Sequence, residues 1–345
     1  MTHHRHKDFI FSQIQLQRSQ INNFANKMTT TMLLLLAIPS IASALSTPIP
    51  NLFPASTRQA LLQKAQDLGQ TKGCYSSVGW SNRLGSVLTP AAPSVYTADR
   101  PFYWNKIDVG CRMTVIELPV KGSKPDLWIH SPVALDGPLQ KLLAEIGTVR
   151  HVVSPNKEHV KFAPQWALAY PEAQMWACPG LMEQEPDTRW TQEIPYNTDS
   201  AELWPDIQAL HSNCEVNPFT GKPFFNEVVF YHKPSQTLLT TDFFWNYPAN
   251  DGVTNSNLES TETGPWELAP SVDPIPLGSK LWKFGMDQVY KPFYNNLMVQ
   301  DKQSYQRIVD TILNKWDVAT VIPAHGDLVR GKPMVQQVLQ THFAV

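Results

Sequence analysis

The chain contains no C-x-x-C pair, no G-x-S-x-G turn, no sustained run of lysine and arginine, and no apolar run near its N-terminus long enough to cross a bilayer. Each absence removes a class of function. Four cysteines, Cys74, Cys111, Cys178 and Cys214, stand far apart in 345 residues. That spacing excludes zinc-ribbon and thioredoxin-type sites. Free, mostly buried thiols are the expectation, with disulfides the alternative in an exported chain. Without the elbow motif, Ser154 ahead of Pro155 is a poor candidate for a nucleophile. A net charge of -2 and a pI near 6.5 give no electrostatic footprint for nucleic acid, and no nucleic-acid partner is expected. The run Met32-Leu33-Leu34-Leu35-Leu36-Ala37-Ile38 falls well short of the roughly 20 residues a membrane span needs, so no span is expected in the mature chain.

What is present points to a globular enzyme-like or binding domain behind an address. A hydrophobic content of 42% with 10% aromatics is enough for a buried core. The 29 prolines fall largely in connecting segments, which predicts long irregular loops. The short apolar run, followed by the small residues Ala42-Ser43-Ala44, has the form of a secretory signal, so residues 1–44 are set apart from the fold. The long basic stretch before it leaves Met28 as an alternative start to Met1. After Ala44 the chain is rich in Ser and Thr with no acid until Asp67. This resembles the bipartite plastid presequences of algae with secondary plastids, and plastid or secreted fates both follow from it. Residues 45–108 read as a linker with one docking helix, Thr57 to Leu68, and the compact domain as 109–345.

Within that domain, period-two and helical patterns alternate. Met113–Leu118 and Leu127–His130 flank a Gly-Ser-Lys-Pro turn and predict a hairpin. Leu135 to Ile146 predicts a helix ending at Gly147. Val149–Val153, Phe162–Tyr170 and Gln174–Ala177 predict a βαβ unit. A second hairpin is expected around Lys233-Pro234-Ser235, an insertion from Asn250 to Gly278, and a helix from Tyr305 to Lys315 feeding a last strand, Val318 to Ile322. Such alternation favours an α/β sandwich with helices outside.

Three strand ends deliver metal-type donors. Val149–Val153 runs into Ser154-Pro155-Asn156-Lys157-Glu158-His159; Thr237–Thr241 ends at Asp242; Val318–Ile322 ends at Pro323-Ala324-His325-Gly326-Asp327. Two imidazoles and two carboxylates on strand ends suit one divalent cation, Zn, Fe(II) or Mn(II), with an open position for water. Asp327 is placed to orient His325, and Asn156 or Lys157 to polarise a substrate. Each has a plainer reading: a helix-start histidine, a turn-capping aspartate, an N-terminal glutamate. The aromatic group Phe243, Phe244, Trp245 and Tyr247 reads first as core and otherwise as a pocket for a flat or apolar substrate, and so does the group Trp282, Phe284, Tyr290, Phe293 and Tyr294.

The Pro155–His159 segment, Phe225-Asn226-Glu227-Val228-Val229-Phe230-Tyr231-His232 and Thr241-Asp242-Phe243-Phe244-Trp245-Asn246 resemble the DUF4336 family, whose function is unknown. The order of elements resembles the metallo-β-lactamase fold over about Val109 to Leu339. The resemblance implies an αββα sandwich with degenerate metal motifs. Superfamily members carry H-x-H-x-D-H, a further His, a bridging Asp and a final His. Ser154 and Asn156 fall on the first two histidines and Pro223 near the third, so one metal site is missing. Glu158, His159, Asp242 and His325 fall on the donors of the other. The implied function is a one-metal hydrolase of an ester, thioester or lactone acting on a small molecule. The alternative is a catalytically inactive scaffold that binds a ligand or protein, and an iron-dependent redox role is a third reading.

Overall fold

The computed structural model describes residues 88–100, 103–104, 107–108, 110–247 and 282–343. The helix expected at Thr57–Leu68, the 1–44 segment, Cys74 and the whole Asn250–Gly278 insertion lie outside them. No described helix is long and apolar enough to cross a membrane.

Two sheets organise the domain. One has seven strands in the order β1 (Thr89–Ala92), β2 (Val95–Arg100), β5 (Cys111–Leu118), β6 (Asp126–His130), β7 (Thr148–Ser154), β8 (Gln174–Ala177) and β9 (Gln192–Glu193). The short pair β3 (Tyr103–Trp104) and β4 (Ile107–Asp108) forms a separate ribbon. The other sheet runs β10 (Ala201–Trp204), β11 (Ile207–His211), β12 (Val228–His232), β13 (Thr237–Thr240), β14 (Thr320–Pro323) and β15 (Val329–Arg330).

Side-chain alternation assigns the layers. On β6, Leu127 and Ile129 join a core with Leu139 and Leu143 of the helix α1 (Gly137–Ile146) and Trp166 of α2 (Ala163–Ala169), while Trp128 points the other way. On β12, Val229 and Tyr231 pack with Tyr305, Ile308 and Leu339 from helices near the C-terminus, while Val228 and Phe230 face Trp128. A strand buried on both faces needs apolar residues in succession rather than alternating with polar ones, and all five residues of β12 are buried. The result is an αββα sandwich with three apolar layers, one between the sheets and one under each set of helices.

The predicted elements fall close to the observed ones. β5 and β6 form the expected antiparallel hairpin, and β7, α2 and β8 the expected parallel unit. Asp136 caps α1 by accepting from Leu139 N at 2.9 Å. β2, which precedes the expected domain start near Val109, pairs along its whole length with β5 and belongs to the same sheet. Its residues were read as linker because they are few and lie among Ser, Thr and Pro. Cys111, Cys178 and Cys214 are free and buried.

Trp128 has no exposed surface and meets Trp204 and Phe230 edge-on at 5.3 and 5.1 Å between ring centroids. Trp128→Ala is expected to cost about 3–5 kcal/mol through the cavity left between the sheets, measured as the shift of the urea unfolding midpoint.

Candidate metal centre

Parallel pairing places the donors. β13 and β14 run side by side in the same direction with Thr240 opposite Pro323. Asp242 and His325, each two residues beyond its paired partner, therefore leave the sheet at the same edge. The chain beyond β7 of the other sheet brings His159 to the same place. His159 Nε2 lies 3.1 Å from His325 Nε2 and 3.3 Å from Asp242 Oδ2, and His325 Nε2 lies 3.6 Å from Asp242 Oδ1. One donor atom from each of the three lies within 4.8 Å of the other two. A tetrahedral cation with bonds of 2.0–2.1 Å holds its ligand atoms about 3.4 Å apart. The three contacts, which reach Asp242 through a different oxygen from each ring, lie close to that spacing, and two imidazole nitrogens facing each other at 3.1 Å need either a proton or a cation between them.

Each donor is fixed from behind. The Nδ1–H of His325 donates to the Gly110 carbonyl at 2.7 Å, which leaves Nε2 with its lone pair toward the centre. His159 Nδ1 is 2.7 Å from Ser131 Oγ and 3.8 Å from Cys111 Sγ. Asn156 Oδ1 accepts from the Glu158 and His159 N–H groups at 3.0 and 2.8 Å, and its Nδ2 donates to Asp242 Oδ2 at 2.7 Å and Thr241 Oγ1 at 2.9 Å. Glu227, fully buried, accepts from the backbone N–H groups of Thr241, Asp242 and Phe243 at 2.6, 2.7 and 2.9 Å. The His325 turn is held by Arg112, which donates to the carbonyls of Pro323 and Gly326 at 2.8 and 2.6 Å and pairs with Asp99 at 2.8 Å. Gly326, at φ +90°, is required there: a Cβ would stand 2.1 Å from the Asn246 carbonyl oxygen.

The geometry places the other four candidates of the sequence as follows. Glu158 lines the same cavity but is exposed and stands outside the three-donor group, because the turn bracketed by Asn156 sends His159 inward and its neighbour outward. Asn156 has no exposed surface and spends its amide on Asp242, Thr241 and the turn, so it positions donors rather than polarising a substrate. Lys157 is not among the residues lining the cavity. Asp327 is buried, and the His325 ring is oriented by the Gly110 carbonyl in the place proposed for it. Sequence reasoning missed Glu227, Ser131 and Arg112. A charged residue opening the otherwise apolar run Glu227–Tyr231 was the one available signal, since a buried carboxylate requires partners.

The charges divide unevenly. Burial alone would lower His159, but the adjacent Cys111 sulfur and the Asp242 carboxylate reverse this and raise it well above the ordinary imidazole value. Burial, supported by the nearby charges of His159 and Arg112, takes His325 down to about 4 against the pull of Asp242. Burial raises Asp242, yet both histidines and the Asn156 amide outweigh it and hold the carboxyl below its usual range. Burial and the Asp242 charge push Glu227 up to about 7 against its backbone donors. The shifts thus run in opposite directions on the two rings, up on His159 and down on His325, while Asp242 is held toward its charged form.

Above the donors lies a cavity of about 340 Å³. Its walls include Phe162, Phe224, Trp245, Tyr247, Trp282 and Tyr290. The two aromatic groups of the sequence therefore split, with Phe243, Phe244 and Tyr294 in the core and Trp245, Tyr247, Trp282 and Tyr290 at the cavity.

Residues 93–258 match the family model described as Domain of unknown function (DUF4336). No curated protein matches the chain in sequence. Similar solved structures include a metallo-β-lactamase from Hirschia baltica, 11% identical over 74% of this chain and 96% of that one with a TM-score of 0.44. Another, from Pontibacter korlensis, is 10% identical over 74% and 96%, with a TM-score of 0.43. A Pseudomonas aeruginosa metallo-β-lactamase in a mono-zinc form is 11% identical over 75% and 96%, with a TM-score of 0.42.

Glu227→Gln turns one acceptor oxygen into an amine that faces backbone N–H donors. The substitution is expected to cost about 2–4 kcal/mol and, by loosening Asp242, to weaken zinc binding by about tenfold or more. Denaturant unfolding with and without zinc separates the two effects, and unchanged zinc affinity would remove Glu227 from the account of the centre.

Proposed function

We propose, for a chain whose residues 93–258 belong to the DUF4336 family, a one-metal hydrolase of ester, thioester or lactone bonds in small molecules. The supporting observation is the His159–Asp242–His325 group in the lining of a cavity, with the two Nε2 atoms 3.1 Å apart, His159 Nε2 3.3 Å from Asp242 Oδ2 and His325 Nε2 3.6 Å from Asp242 Oδ1. His159 and His325 would hold the ion through Nε2 and Asp242 through its carboxylate. Donor type suits Zn, Fe(II) or Mn(II). Such an ion supplies Lewis acidity, which polarises a carbonyl and brings the pKa of a water down toward about 7.

The chain's own residues do the rest. Ser131 and Gly110 hold the two rings so that Nε2 of each faces the centre. Asn156 and Glu227 keep the Asp242 loop from swinging away. Glu158 stands in the cavity wall with its carboxyl raised by burial and by the Asp242 charge. That position lets it pass a proton between the leaving atom and solvent. A ring-walled cavity excludes water from the rest of the substrate.

A second reading is favoured by one observation. Asn156, at a position where the resemblance implies a histidine, is committed to structural hydrogen bonds on both ends of its amide. A chain that converts a ligand position into a brace can have converted the whole site into a scaffold that binds a ligand without chemistry.

Metal analysis of protein purified without chelator or nickel resin separates these readings. The hydrolase predicts about one ion per chain, falling toward zero in His325→Ala, since removing one of three protein donors opens the shell. Binding must also displace the proton held by His159. As that pKa is raised, affinity should climb about tenfold per pH unit from pH 6 until His159 titrates, then level off. No ion in either protein, or an affinity flat with pH, contradicts the proposal.

A further inference from the structure

Two of the rings around the cavity direct their polar atoms to protein neighbours. Trp245 Nε1 donates to Asp287 Oδ1 at 3.2 Å, and the Tyr290 hydroxyl lies 4.0 Å from Met298 Sδ. Phe162, Phe224, Trp282, Met286 and Tyr290 are only half-buried, and all five border this one cavity. Apolar side chains left partly open around a concave site gain free energy when a ligand covers them, about 25 cal/mol per Å² of apolar surface removed from water. A cavity of about 340 Å³ is of small-molecule size. The polar chemistry is gathered elsewhere in the lining, at the three donors and at Glu158 and Lys161.

We infer that the cavity takes acyl compounds whose acyl part is uncharged and apolar, a phenyl-sized ring or a chain of about six carbons, with the carbonyl carbon over His159, Asp242 and His325. The position of the head rests on the one-metal hydrolase reading, whereas the acyl seat is made by the chain's own side chains. Hydrolysis then forms a bond from the acyl carbon to a water oxygen and breaks the bond to the leaving oxygen or sulfur. One water proton goes to that leaving atom, and the other passes to solvent as the carboxylic acid ionises. The acyl product is a monocarboxylate such as phenylacetate or hexanoate.

Titration calorimetry of the full chain, zinc-loaded and chelator-treated, against phenylacetate, hexanoate, acetate and succinate reads the seat directly. Phenylacetate and hexanoate should bind about tenfold or more tightly than acetate, and succinate no better than acetate, because its second charge would enter a ring-walled space. Phe162→Ala and Met286→Gln should each cut the phenylacetate preference about threefold or more while zinc stoichiometry stays unchanged. Equal affinity for phenylacetate and acetate, preference for succinate, or no binding of phenylacetate at millimolar concentration would overturn the inference. The preference persisting in a chain that takes up no zinc removes the hydrolase reading and keeps the seat. Full zinc uptake with no preference does the reverse.

Discussion

The centre depends on one buried carboxylate. Glu227 opens strand β12 with its side chain shut away from solvent, and its two oxygens accept three successive backbone N–H groups, those of Thr241, Asp242 and Phe243. A buried acid is costly unless its lone pairs are used, and here they are used to fix the loop that carries the only acidic member of the donor triangle. Asn156 extends the same network to the other sheet, bonding Glu227 at 3.3 Å and Asp242 at 2.7 Å while it brackets the turn that presents His159. The two sheets are thereby tied at the edge where the donors meet.

That brace explains how a site with fewer ligands than the resemblance implies can still be ordered. Where one histidine would stand, Asn156 organises the remaining donors instead of binding an ion. On the opposite side Arg112, anchored by Asp99, clamps the His325 turn through two carbonyls. β2, which carries Asp99, is thus part of the centre's support as well as of the sheet. The uneven protonation follows from the same packing. His325 is enclosed, which lowers its pKa, whereas His159 sits between a sulfur and a carboxylate that raise its own.

Much of this was legible in the sequence, for identifiable reasons. The runs at Val149–Val153 and Thr237–Thr241 are strands, the first buried on both faces only toward its end and the second throughout, and their pattern is strong enough to place His159 and Asp242 beyond strand ends. The run ending in Pro323-Ala324-His325 is the same kind of signal. β1 and β2 were illegible because they are short and sit among Ser, Thr and Pro. That Glu158 stands outside the group of His159, Asp242 and His325 was not legible, because spacing along a chain does not tell which way consecutive turn residues point. The partners that fix each ring were out of reach: Ser131 lies 28 residues from His159 and Gly110 lies 215 residues from His325, and only the folded sheets bring them together. Glu227 was visible only as a charge in an apolar run.

The central claim is that His159, Asp242 and His325 grip one cation. X-ray absorption at the zinc edge of the zinc-loaded full chain reads that shell directly. The account predicts nitrogen and oxygen neighbours at about 2.0–2.1 Å, two of them with the outer-shell signature of imidazole, and no sulfur. A sulfur neighbour at about 2.3 Å, which Cys111 beside His159 would supply, or a shell without imidazole, would contradict it.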